Sequence, residues 1–183
     1  IDQYRRQCDG REGAFLSLLD GAVYRNPRSP YRALLEWAGV SLGDVADSVR
    51  RRGVEPTLES LYDAGVHVTI DEFKGRRPIE RHGRSLAVGA DAFDNPLSGG
   101  SFVGRAGGSI GPPRRLAFDF DQLDDDVPCH AFFLDALGIE GYDLVLWRPV
   151  PPGVAGIRRA LIHARLGKPV VAWFSQNPVT WPG

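Results

Sequence analysis

"YDLVLWRPVPPGVAGIRRALIHARLGKPVVAWFS", residues 142–175, is the stretch whose reading decides the fold. It opens on the continuous apolar run "YDLVLWRPV" and closes on a second one, "KPVVAWFS". Uninterrupted runs of this kind suit strands buried on both faces, as in parallel sheets. Between them "GVAGIRRALIHARLG" places Val154, Ile157, Leu161 and Leu166 near helical spacing, with Gly167 closing the helix. Strand, helix and strand in this order predict a βαβ unit, whose parallel crossover is right-handed. On this reading Trp147, Trp173 and Phe174 are core side chains rather than a ligand pocket.

Moving toward the N-terminus, the first part of the chain reads as helices separated by breakers. "REGAFLSLLDGAVYRN" sets Phe15, Leu18, Leu19, Ala22 and Val23 on one helical face. "SPYRALLEWAGV" offers Ser29 as N-cap, Pro30 at the first helical position and Gly39 after the end. "LGDVADSVRRRG" and "TLESLYDAG" follow, the second starting near Thr57 and ending at Gly65. "VHVTI" is a strand or an extended link, and "TIDEF" reads as a helix start. From residue 85 the short runs "SLAVGADAF", "SFVGR" and "RRLAFDF" are strand candidates bounded by Gly, Pro and Asn. "DQLDDDVPCHAFFLDALGIEG" is a helix whose start, or a kink, is marked by Pro128. The expected class is α/β: a helical N-terminal region over residues 1–84, then an α/β region over 85–183 with a mixed sheet, both parts of one incomplete domain.

Composition narrows the function classes. With 183 residues, 43% hydrophobic and 25% charged, the chain can bury a sizeable core. A net charge of −1 gives no general attraction for nucleic acid or an anionic membrane. No apolar run approaches the roughly 18–20 residues of a bilayer span. Cys8 and Cys129 stand far apart in no metal-binding spacing, which fits reduced thiols and a cytoplasmic setting. Methionine is absent and the chain opens at Ile1, so it reads as a piece of something longer.

The chemistry-bearing candidate is "SGGSFVGRAGGSIGPPRRLAFDF", residues 98–120. Gly107, Gly108 and Gly111 remove the Cβ atoms that hold a ligand away from the backbone. Successive N–H groups in such a turn form an anion-binding nest. Ser109 adds a hydroxyl, and Arg114 and Arg115 place cations at the far lip. No Gly-Lys-Ser/Thr follows, and the next run is strand-like, which excludes both a Walker A loop and a dinucleotide fingerprint. Two readings of the residues stay open: a phosphate cradle, or a hairpin turn whose glycines serve geometry alone.

The order Arg105-Ala106-Gly107-Gly108-Ser109-Ile110-Gly111-Pro112-Pro113-Arg114 resembles the phosphate loop of the adenylate-forming (acyl-CoA synthetase) superfamily. That loop reads roughly Thr-Ser-Gly-Thr-Thr-Gly-x-Pro-Lys between two strands. Gly108, Ser109, Gly111 and Pro113 match it, and Arg114 stands at the lysine. "NPRSPYRALLEWAGVSLGDV" and "TLESLYDAGVHVTIDEFKG" are similar to the segments leading to the loop in the branch of phenylacetate-CoA ligases and acyl-protein synthetases. The likeness runs from about residue 26 to 175. Ala106, Gly107 and Ile110 depart from the family's hydroxyls, leaving Ser109 as the loop's one side-chain hydroxyl.

The resemblance implies the N-terminal portion of an ATP-dependent, acyl-adenylate-forming ligase and its large N-terminal domain. ATP with Mg2+ and a small carboxylic acid would be its reactants, and a thiol, coenzyme A or a protein cysteine, its acceptor. It implies phosphate binding by Gly107, Gly108, Ser109, Gly111, Arg114 and Arg115. The family's later ATP-binding motifs have no counterpart here, so this fragment alone is expected to be inactive and its catalytic residues stay unassigned. The alternatives are a non-catalytic α/β binding or scaffold module that kept the fold, and a nucleotide-binding regulatory domain.

The remaining polar clusters carry plainer expectations. His67, His82, His130 and His163 show no metal-ligand spacing. His163 reads as a structural histidine. Asp124, Asp125 and Asp126 read as a charge cluster near a helix start. "KGRRPIERHGR", with Arg76, Arg77, Arg81 and Arg84, reads as a solvated loop.

Overall fold

The fold is a computed structural model that describes residues 1–89, 91–99, 102–105, 115–149 and 154–175, with the backbone alone at 102–105 and 115–118. Helices α1 (Asp2–Asp9) and α2 (Arg11–Leu18) come first, and α2 runs into a π-helical segment, Leu19–Tyr24. Next are α3 (Pro30–Ala38), α4 (Leu42–Arg52), α5 (Val54–Asp63) and α6 (Ile70–Phe73). Strands β1 (Ile79–Arg81), β2 (Arg84–Leu86), β3 (Phe102–Arg105) and β4 (Arg115–Phe118) precede α7 (Phe120–Ala136), β5 (Leu144–Trp147), α8 (Val154–Arg165) and β6 (Val170–Phe174). Among the described residues, helices thus combine with three two-stranded sheets, a composition that fits the α/β class. The chain divides into two compact units: Cys8–Leu97, and Ile1–Gln7 with Ser98–Gly183.

In the Cys8–Leu97 unit, Leu35, Val45, Val49 and Leu61 form a buried cluster from α3, α4 and α5. Phe15, Leu16, Leu19, Val23 and Tyr24 pack on it from α2 and the π-helical segment. A single helical phase predicts Leu18 on this face, yet Leu18 is half exposed and Leu16 packs inward. The wider π turn changes the phase between the two halves of the helix. Tyr24 then donates its hydroxyl to the Val40 carbonyl at 3.0 Å.

Caps set the helix ends here. Ser41 and Asp44 form a capping box at the start of α4, and Thr69 and Glu72 form another at α6. Pro30 begins α3 and Gly39 ends it in the left-handed region, as its sequence predicts. Helix α5 starts at Val54, earlier than the Thr57 start read from the sequence. Thr57 is buried inside it, donating its hydroxyl to the Gly53 carbonyl at 2.8 Å and meeting Ser48 Oγ at 2.8 Å. Gly65, at φ +86°, closes α5 in a Schellman arrangement: its N–H donates to Tyr62, and that of Val66 to Leu61.

The Arg-rich run 74–84 is not a solvated loop. It carries β1 and the turn of an antiparallel hairpin, with Ile79 fully buried and paired to Leu86, and Arg81 to Arg84. His82 and Gly83 form its two-residue turn at φ +51° and +74°, the backbone of a primed hairpin turn. "SLAVGADAF" supplies only Ser85 and Leu86 to the strand.

In the other unit, β5 and β6 pair in parallel with α8 as the connection, and Leu146 opposes Trp173. The βαβ unit read from 142–175 is therefore present. Helix α8 packs tightly on β6: a Cβ on Gly156 would lie 2.3 Å from Trp173 Cζ2. Trp173 is pinned there by donating its indole N–H to the Arg148 carbonyl at 2.8 Å. The expectation of two buried sheet faces fails. Trp147 is 71% and Phe174 59% exposed, although they are register partners. A two-stranded sheet with one crossover helix has one face covered, and among the described residues nothing covers the other.

Helix α7 starts at Phe120 rather than near Pro128, which lies buried inside the helix. Asp119 supplies the N-cap, and an interior proline removes one N–H donor without ending the helix here.

Candidate functional site

Strands β3 and β4 pair antiparallel, Phe102 with Phe118 through Arg105 with Arg115. The intervening residues 106–114 are the Gly-rich segment. Hairpins usually close through about 2–5 residues, and longer connections are disproportionately functional. Gly107, Gly108, Ser109, Gly111 and Arg114 lie outside the described residues. Arg115 is the first residue of β4, and its backbone partner is Arg105.

Arg105 is the residue whose position the sequence reading left unused. Its signal was symmetry: an arginine on either side of the same glycine segment.

The base of the hairpin is tied by Asp119, which follows β4. One carboxylate oxygen accepts the Gly99 N–H at 2.9 Å, and the other accepts the Asp121 N–H at 3.0 Å. The Gly99 bond, then the Asp121 bond, hold the Asp119 carboxyl below its ordinary range. Gly99 precedes β3 and Asp121 opens α7, so a single side chain fastens both flanks of the hairpin.

Other candidate groups have structural partners. Asp124 pairs with Arg165 and Asp126 with Arg158, both arginines of α8. The acidic run therefore ties α7 to α8, and the helix-start role belongs to Asp119. Arg76 pairs with Asp71 at 3.0 Å, and Arg81 with Glu72 at 2.8 Å. The Arg81 bond is the main cause that lowers the Glu72 carboxyl to about 2. His67 stacks on Tyr62 at 4.4 Å between ring centroids.

His163 is buried at 5% exposure, and its ring centroid lies 6.3 Å from that of His130. Among the described residues no three His, Cys, Asp or Glu side chains converge to hold a metal ion. No helix there is long and apolar enough to cross a membrane.

Compared with known proteins, the chain matches no family model, no curated protein and no solved structure.

Proposed function

We propose that this chain is the N-terminal portion of an ATP-dependent, carboxylate-activating ligase, with its fold part of an adenylate-forming large N-terminal domain. The observation that carries the reading is the β3–β4 register. It sets Arg105 opposite Arg115 at the mouth of a nine-residue segment, 106–114, rich in glycine. A sequence with arginines on both sides of a glycine-rich segment suits a polyphosphate, which takes both cations and backbone N–H donors.

In the reaction, a carboxylate oxygen attacks the α-phosphorus of ATP, and the bond to the β-phosphate oxygen breaks. Pyrophosphate leaves with the electron pair. A thiol of coenzyme A or of a protein then attacks the acyl carbon, and AMP departs. Arg105, Ser109, Arg114 and Arg115 would hold the β- and γ-phosphates while negative charge grows on the leaving pyrophosphate. Fixed donors of this kind act electrostatically, without reorganisation at the moment of reaction. Mg2+ accompanies ATP in such chemistry, and among the described residues no group of three or more His, Cys, Asp or Glu side chains is gathered to hold it.

The test is pyrophosphate–ATP exchange driven by a panel of carboxylic acids, run on the protein that carries this chain, beside calorimetric titration of this chain with tripolyphosphate. Exchange that is lost in the Arg105→Ala and Arg115→Ala variants supports the ligase. Tripolyphosphate binding without exchange points instead to a nucleotide-binding module without turnover. Neither binding nor exchange reduces 106–114 to a structural turn.

A further inference from the structure

His163 sits on α8 with its Nδ1 buried and without a hydrogen-bond partner. An unpaired buried polar atom is costly, and a buried charge more so. Facing it on α7 is His130, whose Nδ1 lies 2.8 Å from Arg159 Nη1. A guanidinium has donors only, so Arg159 donates and His130 Nδ1 accepts. That bond requires a neutral imidazole, since an imidazolium carries a proton on both ring nitrogens.

The surroundings are dominated by positive charge. Helix α8 contributes Arg158, Arg159 and Arg165, and Lys168 follows it. The nearby acids of α7 are Asp124 and Asp126, each already paired with an arginine of α8. The strands β5 and β6 contain no ionisable residue.

We infer that His130 and His163 form an acid-released catch between α7 and α8. Neutral rings permit the helices to pack. Protonation breaks the Arg159–His130 hydrogen bond and sets two imidazolium charges beside Arg159, Arg158 and Lys168. The helices then separate to let water reach the new charges.

Burial and then Arg159 lower both histidines from the ordinary 6.5; at His130 the charges of His163 and Arg158 add to this while Asp126 opposes it, and at His163 Lys168 adds to it. The sign follows from linkage. A histidine lowered in the folded state leaves the unfolded chain binding more protons as pH falls. Its stabilising contribution is whole above 6.5 and is lost as pH drops through the lower folded value.

The test reads the histidine Cε1–H resonances from pH 8 to 4.5, with amide hydrogen exchange at pH 7 and pH 5 corrected for intrinsic rates. Both rings should titrate below 6.5, and protection should be lost at pH 5 in α7 and α8 but kept in α3, α4 and α5. In the His130→Gln, His163→Leu double variant, the loss in α7 and α8 should disappear. If that variant does not fold, His130→Gln alone should show a smaller loss than wild type. Titration of both rings at or above 6.5 overturns the catch. So does a wild-type loss of protection that persists unchanged in whichever variant folds.

Discussion

Arg81 grips Glu72 with both ends of its guanidinium, Nη1 to Oε1 at 2.8 Å and Nη2 to Oε2 at 3.1 Å. Glu72 is 3% exposed, and Arg81 also donates to the carbonyls of Gly65 and His67. The pair joins α6, the end of α5 and strand β1 at one point.

Glu72→Gln should therefore cost roughly 3 kcal/mol at pH 7, because removing one member leaves the other buried and uncompensated. The carboxyl is lowered from 4.5 to about 2. Its contribution is present above 4.5 and lost as pH falls through about 2. Urea unfolding at pH 7 and pH 3 checks both statements: the wild type should weaken with acid by more than the variant. Equal acid sensitivity of the two proteins would count against the pair.

Gly156→Ala should destabilise the unit holding α8. Alanine gains about 1 kcal/mol in helix propensity over glycine. The new methyl would stand 2.3 Å from Trp173 Cζ2, however, and the ring is pinned by its bond to Arg148. Overpacking of this kind costs about 1–3 kcal/mol, so the clash wins. A thermal melt of Gly156→Ala should show a lower midpoint, and adding Trp173→Phe should recover part of it.

Trp147→Ser and Phe174→Ser should each change unfolding free energy by under about 0.5 kcal/mol, as exposed substitutions usually do. A core tryptophan would cost about 3–5 kcal/mol. Chemical denaturation separates the two cases, and a large loss would show that this sheet face is covered after all.

Arg105→Ala and Arg115→Ala should each weaken tripolyphosphate binding about tenfold to a hundredfold, the worth of one charge-assisted hydrogen bond. Arg50→Ala, which removes an exposed ion pair to Asp47, should leave it unchanged. Calorimetry at two salt concentrations checks this, and equal loss in all three variants would mean nonspecific charge attraction.

Ser41→Ala should cost about 1 kcal/mol, the usual worth of an N-cap, because the Asp44 N–H loses its acceptor. Helix content by circular dichroism through the melt reports it. No change would place the stability of α4 wholly in its packing.

What was legible in the sequence was mostly local. Pro30 and Gly39 fix the two ends of α3 through their own backbone preferences, without help from distant residues. The 142–175 unit was legible because two continuous apolar runs flank one amphipathic helix. The β1–β2 hairpin was not, because Ile79 is the one buried apolar residue amid arginines and its burial depends on packing from elsewhere. Exposure of Trp147 was equally hidden, since an apolar run does not say which face finds a cover. At the candidate site the sequence marks the glycines and one arginine lip. Only strand pairing sets Arg105 opposite Arg115.

The π-helical segment Leu19–Tyr24 has a consequence for anyone who edits the chain. Each residue in an α-helix turns the next by about 100°. Removing one residue there to restore an ordinary helix would not shorten it harmlessly. It would swing everything on one side of the cut by about that angle relative to the other. Either Phe15 and Leu16 leave the core, or Tyr24 loses Val40. The extra residue works as a gear between two settings of one helix.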